Sequence, residues 1–154
     1  MTPLILIETL AKNLRELFNG KDFATEYQGD KQLQIFEHDL PRGDFENNIF
    51  FPCVIVTLKS VEDEGDDSIA TVAFTIGTYS DNLGNDYRDM FNIAEKIRQF
   101  LLTNPILDGL FYLQMPIAFE PITPEQPEPF VFGIIAVRYT IGTPRVSVSD
   151  FFNK

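Results

Sequence analysis

The stretch TYSDNLGNDYRDMFNIAEKIRQFLLTNPIL, Thr78 to Leu107, reads as the end of a strand, a polar loop around Gly84, an amphipathic helix and a stop at Asn104-Pro105. Asp86 suits the N-cap, where a carboxylate accepts backbone N–H groups that the first turn cannot pair. Met90, Ala94, Ile97 and Leu101 recur at spacings of four, three and four, one face of a helix. Phe91, Ile93 and Phe100 are expected to widen that face, with Asp89, Asn92, Glu95, Lys96 and Gln99 on the wet side. Such a helix needs an apolar partner, and the β-rich segments on both sides of it supply one.

Working outward, Phe50 to Lys59 is almost continuous in β-branched and apolar residues, as expected of a strand covered on both faces. Ile69 to Tyr79 alternates Val72, Phe74 and Ile76 with Thr71, Ala73 and Thr75, the period of a half-buried strand. Glu62 to Asp67 reads as the turn between them, which makes a hairpin. Beyond the helix, Leu110 to Glu120 is a third long strand, with Phe111, Leu113, Met115, Ile117 and Phe119 expected on one side. Pro116 cannot donate to a ladder, so this strand belongs at an edge or carries a bulge. The segment PITPEQPEP, with prolines at 121, 124, 127 and 129, is stiff and extended. Phe130 to Ile141 is the fourth long strand.

At the start, Thr2 and Pro3 suit N-cap and N1 of a first helix running to Phe18, with Ile7, Leu10, Leu14 and Leu17 as its buried stripe. Asn19-Gly20 ends it. Phe23 to Tyr27 and Gln32 to Glu37 are two candidate short strands around Gly29-Asp30, and His38 to Asn48 reads as loop. The expected fold is one α+β domain over residues 1–154: a mainly antiparallel sheet of four long strands with two helices packed on one face, and residues 142–154 as a tail.

The composition narrows function. With 44% apolar residues and 15 Phe, the chain is globular, not disordered. Its net charge of −11 argues against a nucleic-acid-binding face, which needs clustered Lys and Arg, but suits a surface past which DNA slides. One cysteine, Cys53, allows no internal disulfide. MTPLILIETL lacks the basic start of a signal peptide, and no apolar run approaches the roughly 20 residues of a membrane span. A soluble protein made in a cytoplasm is expected.

Individual residues offer little chemistry. The acidic cluster Glu62, Asp63, Glu64, Asp66 and Asp67 lacks the calcium-loop spacing and reads as a solvated hairpin tip, with weak divalent binding at a subunit contact as the alternative. His38 is the only histidine and reads as a surface-loop residue, while Cys53 sits in an apolar run as a buried thiol. Gly77, Gly84 and Gly133 form no phosphate loop; Gly77 and Gly133 mark bulges or close backbone approach. Tyr79, Tyr87, Tyr112 and Tyr139 lack the basic surroundings of a base-stacking platform. No catalytic, metal or cofactor residues are assigned and no enzyme activity is expected. Phe50, Phe51, the Pro121–Pro129 arm and Phe151-Phe152 either make protein contacts or fold back over the sheet edges.

At the level of residue strings the chain resembles the minor tail proteins of tailed phages, in particular the lambda-type tail terminator group. The resemblance runs over residues 51 to 141: FPCVIVTL, the acidic turn, VAFTIGTYSDN, YRDMFNIAEKIRQFLLTNPIL, LFYLQMPIAFE and PEPFVFGIIAVRYTI. It implies a structural virion or prophage subunit, assembled in a bacterial cytoplasm and ending in the virion tail. Such subunits form a ring, typically of six, at the head-proximal end of the tail tube. The implied partners are other copies of itself, the tail tube protein and a head-completion or connector protein. DNA would pass through without sequence-specific binding, and no membrane is involved. Ring contacts would draw on Phe50, Phe51, Tyr79, Asp81, Asn82, Tyr87, Arg88, Pro121, Pro124, Pro127, Phe151 and Phe152. The contrasting expectation, from the many aromatics and His38, is a small-ligand or regulatory domain with a pocket between sheet and helices.

Overall fold

The computed structural model describes residues 2–20, 22–24, 30–39, 52–79, 88–122 and 130–142. In chain order these form α1 (Pro3–Leu17), β1 (Asp22–Ala24), β2 (Asp30–Gln32), β3 (Gln34–Glu37), β4 (Cys53–Glu64), β5 (Asp67–Tyr79), α2 (Arg88–Thr103), β6 (Ile106–Leu107), β7 (Phe111–Ile122) and β8 (Phe130–Gly142). β1 and β2 pair only with each other, and the rest make one curled sheet in the order β3-β4-β5-β8-β7-β6.

The α+β class matches the expectation, but the four-stranded antiparallel sheet does not. The sheet has six strands and is mixed, because β3 runs parallel to β4 through Gln34↔Cys53 to Glu37↔Val56, and the two-residue β6 extends the opposite edge. A parallel neighbour is reached by a crossover, so no hairpin turn signals it in the sequence. The acidic stretch is likewise less of a turn than expected. β4 and β5 stay paired out to Glu64↔Asp67 around Gly65-Asp66, with Gly65 at φ 75. A two-residue connection with glycine first is one that matches the twist of the strands it joins.

Cross-strand registers place Val54, Ile76 and Gly133 in one row and Val56, Phe74 and Ile135 in the next. Because side chains alternate along a strand, these rows define one sheet face, and both helices lie on it. α1 packs on β3 and β4, and α2 on β5, β8 and β7. Thr2 Oγ1 caps α1 by accepting from the Ile5 N–H at 3.4 Å. Leu6, Ile7, Leu10, Ala11 and Leu14 of α1 are buried, as are Met90, Ile93, Ala94, Ile97 and Leu101 of α2. At about 1.5–3 kcal/mol for each large side chain, this burial outweighs any intrinsic helix propensity. The expected Asp86 N-cap lies outside the described residues.

Gly133 explains how closely α2 approaches. A Cβ there would stand 2.6 Å from Met90 Sδ and 3.0 Å from Phe119 Cε2. On the same core face, Tyr139 is fully buried and its hydroxyl has no hydrogen-bond partner among the described residues. Burial pushes its phenol well above the ordinary tyrosine range. A buried hydroxyl without a partner costs roughly 1–3 kcal/mol of lost hydration. Tyr139→Phe keeps the ring and removes that cost, so it should raise unfolding free energy by about 1 kcal/mol. Urea denaturation of the two proteins measures this, and a variant less stable than the parent would contradict it.

Candidate functional site

Of the residues expected at contacts, Tyr79, Arg88 and Pro121 fall among those described. Tyr79 closes β5 opposite Phe130, Pro121 on β7 stands opposite Gly133 of β8, and Arg88 opens α2 two residues before Met90. All three therefore belong to one end of the sheet, where Pro121 and Arg88 are exposed and Tyr79 is half-buried. Phe50, Phe51, Asp81, Asn82, Tyr87, Pro124, Pro127, Phe151 and Phe152 lie outside the described residues.

The described surface has a different centre of gravity. Phe91 and Leu102 on α2 are exposed, as are Ile106, Leu110, Tyr112, Met115 and Ile122 in and beside β6 and β7. Phe91, expected to widen the buried face, is 46% exposed and meets Phe119 edge-on, ring centroids 5.6 Å apart. Met115, expected on the same side as Phe111 and Leu113, is 61% exposed. The cause is a register shift between Gln114 and Ala118, where β7 detaches from β8 around Pro116. Proline has no N–H for the ladder, so the pairing yields at that residue.

Between α2 and β7 this leaves a cleft of about 90 Å³, lined by Phe91, Ala94, Glu95, Arg98, Ile117, Phe119 and Ile135. Its lining is apolar apart from Glu95 and Arg98. Arg98 Nε and Nη2 each donate to the Glu95 carboxylate at 3.0 Å, and Gln99 Nε2 donates to it at 3.1 Å. The Arg98 bond, then the Gln99 bond, hold the Glu95 carboxyl below its ordinary range. The helical spacing of Phe91, Ala94, Glu95 and Arg98 was visible in the sequence, but β7's approach to that stripe was not.

Other candidates are placed as ordinary surface or core. His38 is exposed at φ 72, donates its backbone N–H to Val56 O at 2.7 Å and accepts from Thr57 Oγ1 through its own carbonyl. Among the acidic residues, Asp63 accepts from Ser68 Oγ, and Glu64 lies 3.8 Å from Arg138. Among the described residues, no group of three or more His, Cys, Asp or Glu is placed to hold a metal ion. No described helix is long and apolar enough to cross a membrane. No known family model matches this chain, and no curated protein matches it.

Cys53 is buried, and desolvation pushes its thiol from about 9 up to about 12 against a smaller opposing pull from a backbone hydrogen bond at Gly77. Thiolates, not thiols, are the nucleophiles, so Cys53 should react with a disulfide reagent only as the protein unfolds. The same burial gives a pH dependence. Between about pH 9 and pH 12 the unfolded chain loses a thiol proton that the folded chain keeps, so the folded state loses stability as pH rises. The slope from this group is about 1.4 kcal/mol per pH unit. Urea titrations at pH 8, 9 and 10 should show little thiol contribution at pH 8 and a loss of about 1 kcal/mol between pH 9 and 10, approaching the full slope only above that, with Cys53→Ala lacking it. Equal slopes in both proteins would refute the assignment.

Proposed function

We propose that this chain is a structural subunit of the tail-terminator kind. It would cap the head-proximal end of a tail tube as a ring, stop tube growth and offer a surface to a head-completion protein. The observation that supports this most is the number of exposed apolar side chains along α2, β6 and β7, on both faces of that side of the sheet. Apolar patches of this kind mark protein contacts, and a ring needs two different patches that meet between neighbours. The likeness of residues 51 to 141 to phage tail terminators adds the particular assembly. A net charge of −11 suits a passage that does not retain DNA.

Among the described residues, the cleft between α2 and β7 is the observation that favours a small-ligand or regulatory domain. At about 90 Å³ it is far smaller than ligand pockets, which run to roughly 300–1,000 Å³. One experiment separates the two. The purified protein is expected to form closed rings by native mass and negative-stain imaging and to bind the ends of tail tubes. A monomer at every concentration, without tube binding and with thermal stabilisation by a metabolite, would replace the assembly reading with the ligand reading.

A further inference from the structure

The cleft between α2 and β7 has a matching projection on the opposite flank of the sheet. Val61, near the outer end of β4, is 40% exposed. It pairs with Ala70 while Asp63 pairs with Ser68, so the two side chains leave β4 on the same face, two residues apart. Ala70 and Ser68 are buried on the helix-bearing face, which makes Val61 and Asp63 an apolar branch and a carboxylate side by side on that face. The cleft offers the converse pair. Its interior, of Ala94, Ile117 and Ile135, is apolar and has room for one branched aliphatic side chain. Arg98 stands at its edge, and the bonds to Glu95 use Nε and Nη2, leaving both N–H groups of Nη1 for a second carboxylate.

Within one molecule the two cannot meet. Ile135, in the cleft, is opposite Phe74, four residues along β5 from Ala70 and two strands away from Val61. That is about 13 Å along the sheet and about 10 Å across it, through paired strands that do not bend back. The strand order places Val61 and the cleft on opposite flanks, so joining them between molecules makes a head-to-tail contact that repeats from copy to copy.

We infer that Val61 of one copy seats in the α2–β7 cleft of a second copy, with Asp63 beside Arg98. This rests on the ring proposed above and names the contact that closes it. The site is apolar at its centre and charged at its margin, the arrangement in which interface anchors carry most of the binding.

The test is sedimentation velocity of the full chain with two variants, Val61→Glu and Phe91→Glu, each changing an exposed side chain and each checked for folding by circular dichroism and thermal melting. Wild type should associate with rising concentration, and each variant alone should remain monomeric. Mixed, the two should give a heterodimer and nothing larger, because one protein keeps only the cleft and the other only the Val61 arm. Rings that persist in both variants, or a mixture that stays monomeric, would overturn this contact while leaving the ring reading intact. A wild type that never associates would overturn both.

Discussion

The close seat of α2 on β8 governs the rest of this structure. Gly133 leaves open the space in which Met90 lies, and any larger residue would meet the Met90 sulfur at 2.6 Å. With the helix that low, Met90, Ile93, Ile97 and Leu101 are all buried. The same placement turns Phe91 onto the shoulder of the helix, where it meets Phe119 at an edge and not in the core. The tight seat at Gly133 and the opening beside Phe91 thus adjoin each other on one helix, with Phe119 touching both.

Much of the architecture was legible because local physics and tertiary context agree there. The four long strands, the stripe Met90-Ala94-Ile97-Leu101 and the start of α1 at Thr2-Pro3 all follow from periodicity and capping, and all are in place. The misses are the two short strands, β3 and β6. β3 joins the sheet parallel to β4, and its four residues carry no signal of which neighbour they will find. β6 has only two residues, set by the Asp108-Gly109 bend, with positive φ at both, that folds Ile106 and Leu107 back on β7.

The candidate site was far less legible than the fold. Phe91 carries the periodicity of a core residue, and only the position of β7 decides that it is half exposed. Met115 likewise alternates correctly with Phe111 and Leu113 in sequence, but it falls in the unpaired stretch around Pro116, while Leu113 before it and Phe119 after it keep the expected face. Pro116 was the visible sign that pairing would break; the direction in which Met115 would turn was not written locally. Contact residues such as Phe50 and Phe151 are expected from sequence because they are apolar outside regular elements. Those residues lie outside the described ones, and the exposed apolar side chains among the described residues lie within or beside regular elements.

The two flanks of the sheet differ in a way that favours one class of assembly over another. On the β4 flank, past the short β3, the uncovered end of β4 carries Glu62, Asp63 and Glu64, so a two-fold pairing of that edge would bring like charges together. On the β7 flank a two-fold strand pairing would include Pro116 and Pro121 twice, doubling the missing donors in the new ladder. Each edge is therefore poorly suited to meeting itself, which is how edge strands are kept from uncontrolled association. Neither obstacle applies when unlike flanks meet through side chains, with an aliphatic branch against an apolar cleft and a carboxylate beside a guanidinium. The features that guard each edge against its own copy leave the head-to-tail contact open, and repetition of that contact is what a ring requires.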